Sequence, residues 1–417
     1  MTGGDSPLSY VSAERLFEIA ESLIEIETQN PPGETRELAD RVETFFDDLG
    51  LDARSVATDP AKPNVVATLP GKSDRTLLYN GHLDTVPFDA SAWTHDPLGE
   101  RDDGRLYGRG ATDMKGSLAA MLHAVEAFVE TETKPPVALA FTIVSDEETG
   151  GEAGVSTLLD LGVIEEIDPS ACVIGETTCS GDQHSVTVAD RGSIWLTLRA
   201  EGESAHGSRP VLGTNAIDRL WDAIEAVRTR LPARELAIPA AVKPILEESV
   251  AYYEPTMGST AARKLFERPT VNLGTIEGGE SINTVPSAAS ARLDIRLAAG
   301  VETRTVLADI RDCLAESPEV SVGDVSWSVG TYEPLDSPFV EALTKAAKES
   351  VENRIYRRSA TGGGDAKKFR QAGVPTAEFA FGTETAHAAD EYTTADALVG
   401  NAEVYTRLPG VWDSLRE

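Results

Sequence analysis

The sequence predicts an α/β fold, a mixed-sheet domain into which a smaller ferredoxin-like βαββαβ domain is inserted. Three observations predict it. Short apolar runs bounded by turn residues alternate with stretches of helical periodicity as far as about residue 184. Between about Ser185 and Thr331 the order becomes strand, helix, two strands, helix, strand. The first pattern then resumes at Ser337. Residues 1–184 and 332–417 are therefore read as one discontinuous domain, and 185–331 as the insert.

The elements are taken in chain order. Leu16, Ile19, Ala20 and Leu23 share one face of a helix from about Ala13 to Ile26, which a turn at Asn30-Pro31-Pro32-Gly33 separates from a second helix ending near Leu49. Val65–Leu69, Leu77–Tyr79, Val137–Val144, Ala171–Ile174 and Thr376–Phe381 read as buried strands, with a helix over Lys115–Val129. In the insert, strands are expected at Ser193–Ala200, Thr270–Ile276, Ala288–Leu297 and Val325–Val329, and helices at Ala216–Arg228 and Thr303–Ala315. Pro232–Pro269 holds five prolines and little periodicity, so it reads as an extended loop with room for one short helix.

Composition narrows the class. With 417 residues, 41% of them hydrophobic and 25% charged, the chain has the make-up of a globular protein of two ordinary domains. The N-terminus MTGGDSPLSY lacks the basic and apolar regions of a signal peptide, and no apolar run nears the roughly 18 residues of a membrane span, so a cytoplasmic location is expected. Cys172, Cys179 and Cys313 form no CxxC pattern and read as buried free thiols. A net charge of −32 disfavours nucleic acid and anionic membranes as partners. The acids are spread through DDLGLD, EEIDP and ERDDG rather than gathered in a tail, which suggests a halophilic cytosol.

The residues just beyond the strands suggest the chemistry. Four of the five runs lead into groups able to bind metal: His82 and Asp84, Glu147 and Glu148, Glu176, and His387. Ligands of open α/β sheets bind at the carboxyl ends of strands, so these groups are expected to converge. Singly they carry little weight. In so acidic a chain about eleven adjacent acidic pairs and roughly one H-x-[DE] arise by chance. His82 and Asp84 read either as a metal ligand with its orienting carboxylate or as a surface pair. Asp113, before a helix in LYGRGATDMKG, reads as an N-cap or as a ligand brought close by glycines.

Taken together, NGHLDTVP, LYGRGATDMKGSLAAML, VSDEETGG, VIGETT, ESAHGSRP, NTVP and TAHAADEY resemble, in order and over almost the whole chain, the dinuclear zinc aminoacylase and carboxypeptidase superfamily, acetylornithine deacetylase and succinyl-diaminopimelate desuccinylase in particular. The resemblance implies a metal-dependent hydrolase that cleaves the amide bond of a small N-acyl amino acid by a metal-bridged water. A dipeptidase or carboxypeptidase is the alternative. It implies two zinc ions, with cobalt or manganese as substitutes, bridged by Asp113, with His82 and Glu176 completing one site and Glu148 and His387 the other. Glu147 is then the general base and Asp84 the partner of His82. His206 is the histidine lent across a homodimer, whose lid and contact surface is the inserted domain. Asn283 and Arg296 match positions that hold a substrate carboxylate, although an ion pair is the other reading of Arg296. His95, His123 and His184 match no motif. Two departures bear on substrate: Asp190-Arg191 stands where desuccinylases carry two arginines, and Gly364 stands where relatives often carry a hydroxyl before the next aspartate, here Asp365. Two other classes remain: a nucleotide-binding module, although TGGGD and RLYGRGATD match neither phosphate-loop pattern, and a metal-free relative that binds peptides, disfavoured because every ligand position is filled.

Overall fold

The computed structural model describes residues 6–415. The opening MTGGD, part of the segment read for targeting signals, lies outside them. The chain divides into two compact units, one running to Val188 and taking in Glu333–Arg358 and the chain from Gly364, the other comprising Ala189–Tyr332 and Ser359–Gly363. The first boundary falls later than residue 185 because His184–Ala189 is a strand of the first unit's sheet, a strand the sequence reading missed.

In chain order, helices α1 (Ala13–Ile24) and α2 (Arg36–Asp48) precede strands β1 (Ala53–Val56), β2 (Asn64–Leu69) and β3 (Thr76–His82). Helix α3 (Lys115–Glu130) leads to β4 (Ala138–Val144), β5 (Ala171–Ile174) and β6 (His184–Ala189). The second unit supplies β7 (Gly192–Glu201), α4 (Ala216–Arg230), α5 (Lys243–Met257), α6 (Ser259–Glu267), β8 (Thr270–Gly278), β9 (Ala288–Leu297), α7 (Thr303–Cys313) and β10 (Val320–Ser328). The chain then returns through α8 (Pro338–Lys348), β11 (Ile355–Ser359), α9 (Asp365–Gln371), β12 (Thr376–Glu378) and α10 (Ala395–Ser414).

The first unit is built on an eight-stranded mixed sheet in the order β1-β2-β4-β3-β5-β12-β6-β11. Its four central strands run parallel, β4 beside β3, β3 beside β5 and β5 beside β12, while β2 and β6 flank them antiparallel. All four carboxyl ends therefore lie along one edge. These strands are buried on both faces, which is why they read as unbroken apolar runs. Helix α3 is buried from Lys115 to Phe128, as its small and apolar GSLAAML stretch requires. Tyr79 stacks on Phe141 at 5.2 Å, Phe141 meets Phe46 at 5.3 Å, and the Tyr79 hydroxyl donates to Tyr405 O at 2.7 Å. Losing a buried ring of this kind costs about 3–5 kcal/mol.

The second unit is a four-stranded antiparallel sheet in the order β8-β9-β7-β10, with α4 and α7 completing the βαββαβ order. Strict alternation on β7 buries Ile194, Leu196 and Leu198 and exposes Trp195, Arg199 and Glu201. Pro232–Pro269 departs from expectation: it forms two helices, α5 and α6, rather than an extended loop. Pro244 occupies the first turn, where no N–H is needed, while Pro255 forfeits one hydrogen bond in the last turn, only two residues before α5 ends at Met257. Burial of Ile245, Leu246, Val250 and Phe266 supplies what helical propensity lacks. All three cysteines are free and buried. Among the described residues no helix is long and apolar enough to cross a membrane.

Candidate metal centre

The parallel strand ends bring the chemistry-bearing residues together. His82 is the last residue of β3, Glu147 and Glu148 form a helical turn just beyond β4, Glu176 stands two residues past β5, and His387 lies in the segment after β12. Asp113 comes from the loop before α3, where Met114 rather than Asp113 is the N-cap, so the capping alternative does not apply. The Asp113 carboxylate lies between the two histidines. Its Oδ1 is 3.3 Å from His82 Nε2 and its Oδ2 is 3.0 Å from His387 Nε2. Glu176 Oε1 stands 3.4 Å from His82 Nε2, and Glu148 Oε1 stands 3.4 Å from His387 Nε2. Ligand atoms of His82, Asp113 and Glu148, and likewise of His82, Glu147 and Glu176, lie within 4.8 Å of one another.

Two observations fit these groups to metal ions. His82 Nδ1 is 2.9 Å from Asp84 O, a carbonyl that only accepts, so Nδ1 carries a proton and Nε2 is the ring atom turned to the carboxylates of Asp113 and Glu176. Two carboxylates turned on one ring nitrogen need a cation at that point, a proton or a metal ion, and against the effect of burial they raise His82 well above the usual histidine range. Glu148 Oε1 is buried without a hydrogen-bond partner, an arrangement that is costly unless a cation meets it. Imidazole nitrogens and carboxylate oxygens are ordinary donors to zinc.

The electrostatics point the same way. Burial, with the Glu176 charge beside it, pushes Glu147 well above the carboxylate range. Glu176 is pushed up to about 7 by burial and by Asp113. His387 is raised to about 10 by the carboxylates of Asp113 and Glu148 beside it. Asp113 is held low by both histidines against the effect of burial. The cluster holds more acid than its own bases balance.

Glu147 and Glu148 lie on a 3-10 turn, where successive side chains point about 120° apart. One local geometry differs from the sequence reading. Asp84 does not mainly orient His82. Its carboxylate is 3.6 Å from Nδ1, whereas its two oxygens accept from the Glu147 and Glu148 amides at 3.1 Å each and from Asn30 Nδ2 at 2.8 Å. Asp84 thus fixes the turn that carries both glutamates. Asn30 also donates to Asp146 at 2.9 Å, and Lys62 pairs with Asp146 at 2.5 Å.

Sequence reasoning missed several supporting residues. Buried Arg109 and Glu391 form an ion pair under the Asp113 loop. Lys115, fully buried, donates to Ile26 O at 2.8 Å, and burial pushes its ammonium down to about 7 against the pull of Glu391, Asp84 and Glu27. Gly364, read for a missing hydroxyl, lies against the Glu147 carboxylate: a Cβ there would be 2.8 Å from Oε1.

The remaining candidates belong to the second unit. His206 is exposed and its Nδ1 is 2.8 Å from Ser208 Oγ. Asn283 is adjacent, with Gly207 N donating to Asn283 O at 2.5 Å. Arg296 takes the ion-pair reading, gripping Asp294 through Nε at 2.7 Å and Nη2 at 3.1 Å. Asp190 is buried and accepts from Thr331 N at 3.1 Å and from the Thr331 hydroxyl, so it braces the backbone rather than facing a ligand. Of the unassigned histidines, His123 is buried against Glu126 and His95 stacks on Tyr107.

Known proteins share both the sequence and the fold. Residues 78–409 match the family described as Peptidase family M20/M25/M40. The chain is 30% identical over 390 residues to a succinyl-diaminopimelate desuccinylase of Rhodospirillum centenum, covering 89% of this chain and 91% of that one. It is 28% identical over 382 residues to an acetylornithine deacetylase of Vibrio campbellii, covering 88% and 89%. Among solved structures, the M20 family metallo-carboxypeptidase Sso-CP2 of Sulfolobus solfataricus superposes with a TM-score of 0.79 at 18% identity, over 96% of this chain and 99% of that one. Human carnosine dipeptidase 1 superposes with a TM-score of 0.74 at 18% identity, over 98% of each. At such identities the superpositions speak to fold alone.

Proposed function

The chain belongs to peptidase family M20/M25/M40 and is a metal-dependent amidohydrolase; on that premise we propose that it cleaves the amide bond of a small N-acyl amino acid. Likeness over nearly the whole chain to a named desuccinylase and a named deacetylase supports this reading over a dipeptidase or carboxypeptidase, whose named neighbours share only the fold. The two oxygens of Asp113, each facing one histidine, are the single observation that carries the dinuclear site.

His82, Asp113 and Glu176 would hold one ion, and Asp113, Glu148 and His387 the other. Zinc suits these donors, with cobalt or manganese as substitutes. When bound, such ions supply Lewis acidity and lower the pKa of water towards about 7. Glu147, half-buried and anchored through its own amide on Asp84, takes the proton of the attacking water and returns it to the leaving amine. We assign His206 to stabilising the developing oxyanion of a second subunit, which makes the active species a homodimer. Asn283 would meet the substrate carboxylate. Arg296 can share that task only by exchanging Asp294 for the substrate. With Asp190 in place of an arginine and turned to Thr331, the acetyl type stands ahead of the succinyl type.

A hydrolysis panel on metal-reconstituted protein tests this: N-acetyl-ornithine, N-succinyl-diaminopimelate, other N-acyl amino acids and dipeptides. Turnover of an N-acyl amino acid with the highest kcat/KM is expected. Preference for dipeptides would move the chain to the alternative, and no turnover of any member would overturn the reading.

A further inference from the structure

The two histidines of the site are held differently. His82 ends a central strand, but His387 lies in a turn at positive φ with about half its side chain exposed, and its carboxylate partner Asp113 sits in a loop. Some other contact must fix these two loop-borne groups relative to each other.

One buried ion pair does so. Glu391 and Arg109 have side-chain exposures of 0% and 4%, and Arg109 Nη1 donates to Glu391 Oε2 at 2.5 Å. The other oxygen, Oε1, accepts the backbone amides of Thr112 at 2.9 Å and of Asp113 itself at 3.0 Å. Arg109 Nη2 reaches His387 O at 3.4 Å, and Gly108 N donates to Glu391 O at 2.8 Å. Asp390 pins the outer side of the same turn by accepting from Thr94 N at 2.8 Å and His95 N at 3.1 Å. A carboxylate taken out of water costs several kcal/mol unless donors satisfy it. Here three donors do, and all come from the segment that ends in Asp113.

We propose that Glu391 and Arg109 are positioning residues that set the separation of Asp113 from His387, and with it the affinity of the ion those two share. Neither touches the reacting atoms. The proposal rests on the dinuclear reading above. Groups that orient ligands from outside typically govern metal affinity by roughly 10–100-fold.

Glu391→Gln tests it in the full-length chain. A carboxamide turned to accept from the Thr112 and Asp113 amides must point its NH2 at Arg109, so one half of the clamp fails. Zinc affinity by chelator competition, kcat, KM and thermal midpoint are measured together. Expected is a folded variant whose more weakly held zinc is bound about 10–100-fold less tightly, with kcat falling in parallel and KM within about twofold. Arg109→Lys keeps the charge but not the second arm to His387, so it should lie between wild type and Arg109→Met. A merely structural pair would lower the midpoint and leave affinity unchanged; unchanged affinity in folded Glu391→Gln therefore overturns the proposal. Should Glu391→Gln not fold, wild-type affinity in Arg109→Lys and Arg109→Met overturns it equally. Absence of zinc binding by the unmutated protein would overturn the dinuclear reading itself, and would be seen before any variant is made.

Discussion

Gly364→Ala separates catalysis from stability. Gly364 has φ −140° and ψ −152°, an extended conformation open to any residue. Among the described residues, a new Cβ there would meet only the Glu147 carboxylate, with Oε1 at 2.8 Å and the carboxyl carbon at 4.0 Å. Ordinary contact needs about 3.5 Å, so Oε1 must retreat by about 0.7 Å. A flexible carboxylate yields at little energetic cost, and alanine restricts the unfolded chain, so stability should hold or rise by about 0.4–1 kcal/mol. Turnover should not hold. A displacement near 1 Å at the reacting centre costs up to about 100-fold, so kcat should fall by roughly 10–100-fold, or about 1.4–2.7 kcal/mol of barrier. The assay is kcat on the best substrate of the panel, beside a thermal melt. Undiminished kcat in Gly364→Ala would refute the placement of Glu147 as the base.

Glu147→Ala should keep its metal and lose roughly 10²–10⁴-fold in turnover; near wild-type turnover with full metal content would remove Glu147 from its role. Burial raises Glu126, but hydrogen bonds from His123 and Arg15 more than offset this and hold it below the usual carboxylate range. A depressed folded pKa contributes stability above the unfolded pKa that is lost as pH falls through the folded one, so Glu126→Gln should cost about 1–3 kcal/mol at neutral pH. That gap should close below about pH 4, and an equal gap in urea titrations at neutral and acid pH would contradict the sign. If the charge of −32 is an adaptation to salt, the thermal midpoint should rise steeply with KCl concentration; a flat response would dismiss the halophilic reading.

Burial decides which parts of this molecule are legible in its sequence. Strands β3, β4, β5 and β12 are covered on both faces, so they stand out as apolar runs, and parallel strands place the residues after them on one edge. That gathers His82, Glu147, Glu148 and Glu176, whereas His387, nine residues past β12, also depends on the turn that Arg109 and Glu391 hold. The Arg109–Glu391 pair is not legible because its members are 282 positions apart and neither lies in a periodic element. Asp84 reads through its nearest neighbour, His82, whereas its carboxylate serves a turn 63 and 64 positions away. In Pro232–Pro269 the prolines read as breakers, yet Pro244 falls in the first turn of α5, where a helix tolerates it, and Pro255 so near the end that the helix loses one bond and stops soon after. Gly364 stands out in the sequence for the hydroxyl it lacks; in the structure the space it leaves for Glu147 matters more.

Metal content of the active enzyme tests the central claim most directly. Mass-spectrometric analysis of purified, active protein, tracked through titration with chelator and re-addition of zinc, should give two ions per chain, with activity lost on removal and regained on return. Full activity with one ion or none would contradict the account.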